Sequence, residues 1–220
     1  VVVDDPESIL KCSNKVYLAE LMDRYRIPTP KSLILHRDNM ESASALLGFP
    51  MILKQPDSAF SQGVHKVEDQ AQLTEAANRM LDRSDLVIAQ EFLPTTFDWR
   101  VGVFDGKPLY VCKYFMAKDH WQIIRRDEVG RSHYGNFEAM PVEDAPHTVV
   151  RMALRAAGLI GDGLYGVDLK QSGKQVYLIE VNDNPNIDAG VEDKILKYKL
   201  YAMIMEIILQ RIEARKAGAR

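Results

Sequence analysis

Polar side chains interrupt two otherwise apolar segments of this chain, and no other feature limits what it can fold into as strongly. The segment GLYGVDLKQSGKQVYLIEVNDNP, residues 163–185, predicts two strands joined by a short turn around Ser-Gly. Asp168 lies in the first strand, and Glu180 and Asn182 lie in the second. Valine or isoleucine would stabilise a sheet better at these positions, so the three polar side chains indicate a binding function.

The three side chains offer oxygen ligands, which suit a hard cation such as Mg²⁺ and argue against zinc. Glu180 and Asn182 are two residues apart, so they face the same side of a strand. A three-residue loop at 173–175 would place Asp168 opposite Glu180, whereas a two-residue turn at 172–173 would put them on opposite faces. We predict the longer loop. The alternative, solvated residues at strand ends, is disfavoured by the apolar VYLI that leads directly into Glu180.

The composition limits the classes of function. Hydrophobic residues make up 46% and charged residues 27% of the chain, as in an ordinary globular protein. A length of 220 residues predicts one sizeable core that is divided into two lobes. The formal net charge of −3 gives no reason to expect nucleic acid or a membrane as a partner. Cys12 and Cys112 lie far apart in no metal-ligand spacing, which predicts reduced thiols in a cytoplasmic protein. The oligomeric state is left open.

The patterns along the chain predict an α+β fold. The first part has helices over 8–25, 39–48 and 68–83, and strands over 32–36, 50–55, 64–67 and 86–93. Ser13 or Asn14 is a candidate N-cap for the main body of the first helix. The second part has a hairpin over 98–117 with Asp-Gly at its turn, a helix over 145–158, the hairpin of residues 163–185 (the polar hairpin), and a long helix from about residue 192. Residues 118–145 are polar and are expected to form an active-site loop or lid.

Two weaker features accompany the polar hairpin. Lys54 ends a strand and precedes the small-residue loop DSAFSQG, whose backbone N–H groups could cradle phosphate; a solvated strand-edge lysine is the alternative. The segment QEFLP, residues 90–94, would expose backbone groups of Glu91 and Leu93 to a purine. Asp98 could then accept hydrogen bonds from ribose hydroxyls. The alternative for QEFLP is a plain linker between lobes.

Taken in order, these elements resemble the ATP-grasp superfamily, and specifically its RimK-like branch of ribosomal-protein glutamate ligases and glutathione-synthetase-like relatives. The matching pieces are SNKVYLAELM, PMILKQPDSAFSQGV, QEFLPTTFDWRV, GLYGVDLK and LIEVNDNP. The resemblance implies two α+β lobes that grip ATP between antiparallel sheets. Residues 1–93 would form the N-terminal helix and first lobe, and residues 94–220 the second lobe. The N-terminal domain that family members generally carry would be absent from this chain.

The resemblance also implies roles for individual residues. Lys54 and Arg100 would stabilise negative charge in the reaction. The metal ligands for Mg²⁺, or alternatively Mn²⁺, would be Asp168, Glu180 and Asn182. The residues implied to contact ATP are Lys15, Lys54, Ser58, Ser61, Gly63, Gln90, Glu91, Phe92, Leu93 and Asp98.

Two departures from the family pattern affect these roles. The loop DSAFSQG has Ser58, Ala59 and Ser61 where glycines often occur, so the flap over the phosphates would be stiffer. The stretch AKDHWQII replaces the arginine-serine-asparagine signature of the glutamate ligases. The contact with the γ-phosphate would then fall to one of three residues, Lys118, His120 or Gln122.

The activity implied by the resemblance is ATP-dependent ligation of a carboxylate to an amine through an acyl phosphate, with an amino acid, a peptide or a protein tail as acceptor. Two alternatives stay open. One is a nucleotide-binding regulatory module without ligase activity, and the other is an ATP-grasp kinase for a small molecule. A dinucleotide oxidoreductase is disfavoured, because no G-x-G-x-x-G follows a predicted strand.

Overall fold

The computed structural model describes residues 1–3, 5–57, 63–127 and 129–218. The chain divides into two compact units, one of Leu10–Pro94 and one that combines Val1–Ile9 with Thr95–Arg220. Both contain helices together with antiparallel sheets, so the predicted α+β class is confirmed. No helix in the described parts of the chain is long and apolar enough to cross a membrane.

The Leu10–Pro94 unit is built on a four-stranded antiparallel sheet, in the order β1-β4-β2-β3. Its core consists of alternate strand residues such as Leu35 and Leu53, packed against Leu73 and Ala77 of a helix. The elements are α2 (Lys15–Arg24), β1 (Ser32–Leu35), α3 (Met40–Leu47), β2 (Met51–Lys54), β3 (Val64–Val67), α4 (Gln70–Leu81) and β4 (Val87–Glu91), after α1 (Pro6–Ser13).

The predicted helix over residues 8–25 is in fact two helices, α1 and α2, separated at Asn14. Asn14 has extended backbone angles, and its side-chain oxygen accepts hydrogen bonds from the N–H groups of Val16 and Tyr17 at 3.0 Å each. A side chain that satisfies these N–H groups starts a new helix rather than continuing the previous one. Asn14 was one of two N-caps that the sequence suggested, and it is the one used.

The second unit is built on a five-stranded antiparallel sheet, in the order β11-β10-β5-β6-β9, with a separate two-stranded ribbon of β7 and β8. Its helix α6 packs Leu200 and Ile207 against Phe104 and Leu109 of the sheet. The elements are β5 (Phe97–Phe104), β6 (Lys107–Phe115), β7 (Ile124–Arg126), β8 (Ser132–Tyr134), β9 (Phe137–Met140), α5 (His147–Ile160), β10 (Leu164–Ser172), β11 (Gln175–Asn182) and α6 (Tyr198–Lys216).

Local signals in this unit gave mixed results. The Asp-Gly hairpin is confirmed, because Asp105 and Gly106 both have positive φ angles (53° and 68°) and form the two-residue turn between β5 and β6. The expectation of a loop over residues 118–145 was wrong, since β9 pairs with β6 and extends the sheet. The strands β7 and β8 are largely exposed, so they carry no apolar alternation that would mark them as strands.

Helix α5 continues past Gly158, where the sequence predicted its end, and stops at Ile160. Ile160 is buried (2% exposed), so its packing favours two more helical residues, and the solvent-exposed Gly158 lies in the helix interior. A Cβ added at Gly158 would meet no atom within 4 Å.

Gly158→Ala is therefore expected to raise the free energy of unfolding by roughly 0.5–1 kcal/mol, because alanine loses less backbone entropy in a helix. The measurement is the midpoint of urea unfolding. Gly135→Ala is the matched contrast, since its Cβ would collide with the main-chain carbonyl of Phe115, and that variant should unfold at lower urea. A lower midpoint for Gly158→Ala would contradict the account of α5.

Candidate functional site

The polar hairpin places Asp168 opposite Glu180, as predicted, but the turn and the strand pairing that produce this register differ from the prediction. The predicted three-residue loop at 173–175 was wrong: Ser172 pairs with Gln175 across a two-residue turn. That turn alone would pair Asp168 with Ile179. The register shifts between Leu169 and Asp168, which leaves Ile179 as the extra residue of a β-bulge and brings Glu180 opposite Asp168. The bulge therefore sets the register that places these carboxylates on one face.

Arg100 from the neighbouring strand β5 joins this face. It lies directly opposite Asp168 in the β5–β10 pairing, and its Nη2 donates to Asp168 Oδ2 at 2.8 Å, while its Nε donates to Oδ1. Asn182 Nδ2 donates to the same Oδ2 at 3.1 Å. The Asp168 and Arg100 side chains are mostly buried, at 18% and 17% exposed. The site is thus a bidentate ion pair between Arg100 and Asp168, with the Asn182 amide and the Glu180 carboxylate beside it.

The electrostatics of this face show an excess of negative charge. Burial raises the pKa of Asp168 above its ordinary value; Arg100 opposes this shift, and the carboxylates of Glu180 and Asp98 add to it. Burial disfavours the charged form of Arg100, but the Asp168 carboxylate outweighs burial and raises the pKa of the guanidinium. Arg100 therefore stays charged, and further positive charge would stabilise the carboxylates around it.

Asp98 is held by a lysine that the sequence analysis did not single out. Lys170 Nζ donates to Asp98 Oδ1 at 2.6 Å and to Thr95 Oγ1 at 2.7 Å. Thr95 donates to the same Oδ1 at 3.0 Å. The available signal was spacing: Lys170 follows Asp168 by two residues, so both lie on one face of β10. Asp98 and Lys170 thus form a second, mostly buried ion pair beside Arg100 and Asp168.

The oxygen donors of this face suit a divalent cation that binds together with a ligand. No group of three His, Cys, Asp or Glu side chains that could hold a metal occurs among the described residues. Asp168 and Glu180 supply two carboxylates, and Asn182 supplies an amide. Mg²⁺ is commonly bound by one or two carboxylates that act together with substrate phosphates and water, rather than by an all-protein cage. The residues therefore fit a cation that arrives with a phosphate-bearing ligand.

The predicted phosphate-binding lysines lie in the other unit. Lys54 Nζ donates to Gln90 Oε1 at 2.8 Å, and Gln90 Nε2 donates to Ser32 Oγ at 2.9 Å. The Lys15 N–H donates to the carbonyl of Pro56 at 3.0 Å, which fixes the start of α2 to the chain just after β2. Gly63 has a positive φ of 66°. The predicted flap residues Ser58 and Ser61 lie outside the described residues.

The segment QEFLP differs from expectation at one backbone group. The Glu91 N–H donates to the carbonyl of Lys31 at 2.9 Å, and its carboxylate accepts from the Lys31 N–H at 2.8 Å. This N–H group is therefore occupied rather than exposed to a ligand. Phe92 is half-buried, with Lys66 Nζ 4.6 Å from its ring centroid, and Leu93 is also half-buried.

The three candidates for a γ-phosphate contact lie on a turn between β6 and β7. Lys118 is exposed. His120 Nε2 lies 3.2 Å from Gln122 Oε1, and the Gln122 carbonyl accepts from the Ala117 N–H at 2.9 Å. In the described part of the chain these hydrogen bonds stay within the turn and do not reach Asp168.

A family model described as an ATP-grasp domain matches residues 12–187. The chain belongs to the ATP-grasp family. The resemblance inferred from its motifs is therefore confirmed. A RimK domain ATP-grasp protein from Sphaerobacter thermophilus shares the fold, with a TM-score of 0.63 and 20% identity over 82% of this chain and 62% of that one.

Other ATP-grasp proteins with similar sequences or structures are ligases by name. An alpha-aminoadipate–LysW ligase of Saccharolobus solfataricus is 24% identical over 84% of this chain and 66% of its own length. A D-alanine–D-alanine ligase of Pediococcus pentosaceus is 25% identical over 79% and 50%, respectively. The D-alanine–D-alanine ligase structure from Bacillus anthracis has a TM-score of 0.73 at 19% identity, over 94% and 71%. The chain thus spans between half and two thirds of these two curated relatives.

Proposed function

We propose that this protein is an ATP-dependent carboxylate–amine ligase. The observation that carries the proposal is the array on β5, β10 and β11, in which Arg100, Asp168, Glu180 and Asn182 come together although three separate strands supply them. Similar proteins named as ligases for alpha-aminoadipate and D-alanine support the reaction class. The substrates proposed are ATP, a carboxylate and an amine that belongs to an amino acid, a peptide or a protein tail, and the proposed location is the cytoplasm.

The reaction has two steps. A carboxylate oxygen of the substrate attacks the γ-phosphorus of ATP, the bond to ADP breaks, and an acyl phosphate forms. The amine nitrogen then attacks the acyl carbon and loses a proton, while inorganic phosphate leaves and an amide remains. Neither step requires a covalent bond to the protein, so its contribution is positioning and stabilisation of charge.

The residues divide this work as follows. Asp168 accepts two hydrogen bonds from one edge of the Arg100 guanidinium, so the positive charge of Arg100 is already oriented when negative charge develops on the substrate. Lys54 supplies a second positive charge for the phosphates. Asp98, fixed by Lys170 and Thr95, accepts hydrogen bonds from ribose. Asp168, Glu180 and Asn182 would hold Mg²⁺ or Mn²⁺, which when bound neutralises charge on the phosphate oxygens.

The proposal predicts ADP and phosphate release that depends on both a carboxylate and an amine. The assay would supply ATP and Mg²⁺ with pools of amino acids and short peptides, and would use hydroxylamine to trap the acyl phosphate as a hydroxamate. Omission of either substrate class should remove amide formation, and EDTA should remove all turnover. Stabilisation by ATP without turnover for any pool would instead indicate a regulatory module. A phosphorylated product that hydroxylamine does not trap would indicate a kinase.

A further inference from the structure

A cavity of about 270 Å³ lies in the second unit, beside the face that carries Arg100. It is bounded by β6, β9, the 3₁₀ turn Val142–Asp144 and the chain that leads into α6. This volume is far larger than the roughly 10–15 Å³ that a cavity needs in order to hold one water molecule. Most of its wall is apolar and includes Leu109, Met140, Val142, Ile195, Leu196 and Met203.

The charged groups on the wall are both carboxylates. Glu192 and Glu143 line the cavity, and no lysine, arginine or histidine is among the described residues that line it. Glu143 is exposed at the rim. Glu192 is only 3% exposed, and it is the one charged side chain in the described part of the chain that is buried to this degree. A buried carboxylate is costly unless a positive charge accompanies it.

Neutral groups position Glu192 but do not neutralise it. Its Oε2 accepts from the Asp188 N–H at 2.7 Å, and its Oε1 accepts from the Tyr114 hydroxyl. A carboxylate has about four lone-pair sites, so two of them are left for another donor. No salt bridge to Glu192 occurs among the described residues, and the nearby Arg100 guanidinium is committed to Asp168. Tyr110, another neutral residue of the wall, donates its hydroxyl proton toward the Asn186 carbonyl at 3.4 Å.

We propose that this cavity binds a primary ammonium group carried on an apolar chain, with Glu192 as the counter-charge and the apolar wall around the chain. A metal ion is a poorer match, because the wall presents few oxygen donors and no three-ligand set. An anionic ligand is excluded by the two carboxylates. An ammonium group has three N–H donors, which suit the acceptor sites that remain on Glu192.

The cavity lies next to the proposed catalytic face. Tyr114 connects the two through its contacts, since the Arg100 guanidinium carbon lies 5.7 Å from its ring centroid and its hydroxyl donates to Glu192, which lines the cavity. Resting on the proposed function, this inference assigns the class of the amine substrate: an apolar primary amine that is bound as its ammonium form before it loses a proton.

The test measures binding directly, on protein labelled with ¹³C at the methionine methyl groups. Met140 and Met203 line the cavity, and Met140→Leu and Met203→Leu assign their two signals. Three probes of matched shape are titrated: phenethylamine, 2-phenylethanol and 3-phenylpropanoate. Phenethylamine is expected to shift both signals in a saturable way. The neutral alcohol should bind at least tenfold more weakly, and the carboxylate should not bind.

Three charge variants locate the counter-charge. Glu192→Gln should weaken phenethylamine binding at least tenfold, and Glu143→Gln, which cannot disturb the interior, should weaken it two- to fivefold. Glu213→Gln removes an exposed carboxylate of α6 that does not line the cavity, and should bind as the unmodified protein does. If Glu192→Gln fails to fold, the binding of the three probes and the effect of Glu143→Gln still test whether the cavity binds an ammonium group. Equal binding of amine and alcohol, or Met140 and Met203 signals that phenethylamine does not move up to its limit of solubility, would overturn the proposal.

A ligase assay separates this inference from the proposed function. With an active enzyme, Glu143→Gln should raise KM for the amine and leave KM for ATP unchanged. Turnover with apolar amines but without shifts at Met140 and Met203 would overturn the cavity assignment alone. Shifts at both methionines without any ATP-dependent turnover would overturn the ligase, and would keep the ammonium site.

Discussion

Glu180→Gln is expected to lower the rate of ATP-dependent turnover by roughly 100-fold or more at saturating ATP, because it removes one of two carboxylates proposed to hold the divalent cation. Glutamine keeps the shape of the side chain, and Glu180 is only half-buried, so the fold should persist. The rate of ADP release, measured across a titration of Mg²⁺, should recover in part at high Mg²⁺. Such recovery would show that cation affinity, rather than folding, was lost.

A matched control lies in the same sheet. Glu138 on β9 is an exposed carboxylate whose partner, Lys113, is 3.3 Å away. Glu138→Gln removes the same charge from the same unit and should change turnover less than twofold. If Glu180→Gln retained full turnover at all Mg²⁺ concentrations, the assignment of Glu180 as a metal ligand would be wrong.

Two predictions from the sequence succeeded because their cause is local. The Asp-Gly turn at 105–106 and the Asn14 cap depend on a few adjacent residues, and both were found as signalled. The strand β9 was missed, because its residues Phe137–Met140 are exposed or half-buried and its place depends on pairing with β6. Such pairing has no signal within the strand itself.

In the candidate site, too, the residue types could be predicted from the sequence, whereas the pairing between strands could not. The carboxylates of Asp168 and Glu180 could be recognised from the apolar residues around them, yet the bulge at Ile179 that makes them face each other could not. The ion pair between Arg100 and Asp168 joins residues 68 positions apart. Only the three-dimensional pairing of β5 with β10 reveals that the predicted catalytic residue and a predicted metal ligand hold each other.

This ion pair leads to the largest expected effect on stability. Asp168→Ala should lower the free energy of unfolding by about 3 kcal/mol, because it leaves the mostly buried Arg100 guanidinium without its counter-charge. Urea unfolding measures the loss. The control is Glu75→Ala, which breaks an exposed pair with Arg79 one helical turn away and should cost no more than about 0.5 kcal/mol. Equal losses for the two variants would contradict a buried pair.

A double variant then tests why the protein keeps the pair. In Asp168→Leu combined with Arg100→Met, both charges are replaced by apolar groups of similar size, which should restore most of the stability that Asp168→Ala loses. Turnover should not return with it, because the oriented guanidinium and the metal-binding carboxylate are both gone. A stable but inactive double variant would show that this pair is retained for the reaction rather than for the fold. Recovery of turnover together with stability would mean that the pair serves only to hold β5 against β10.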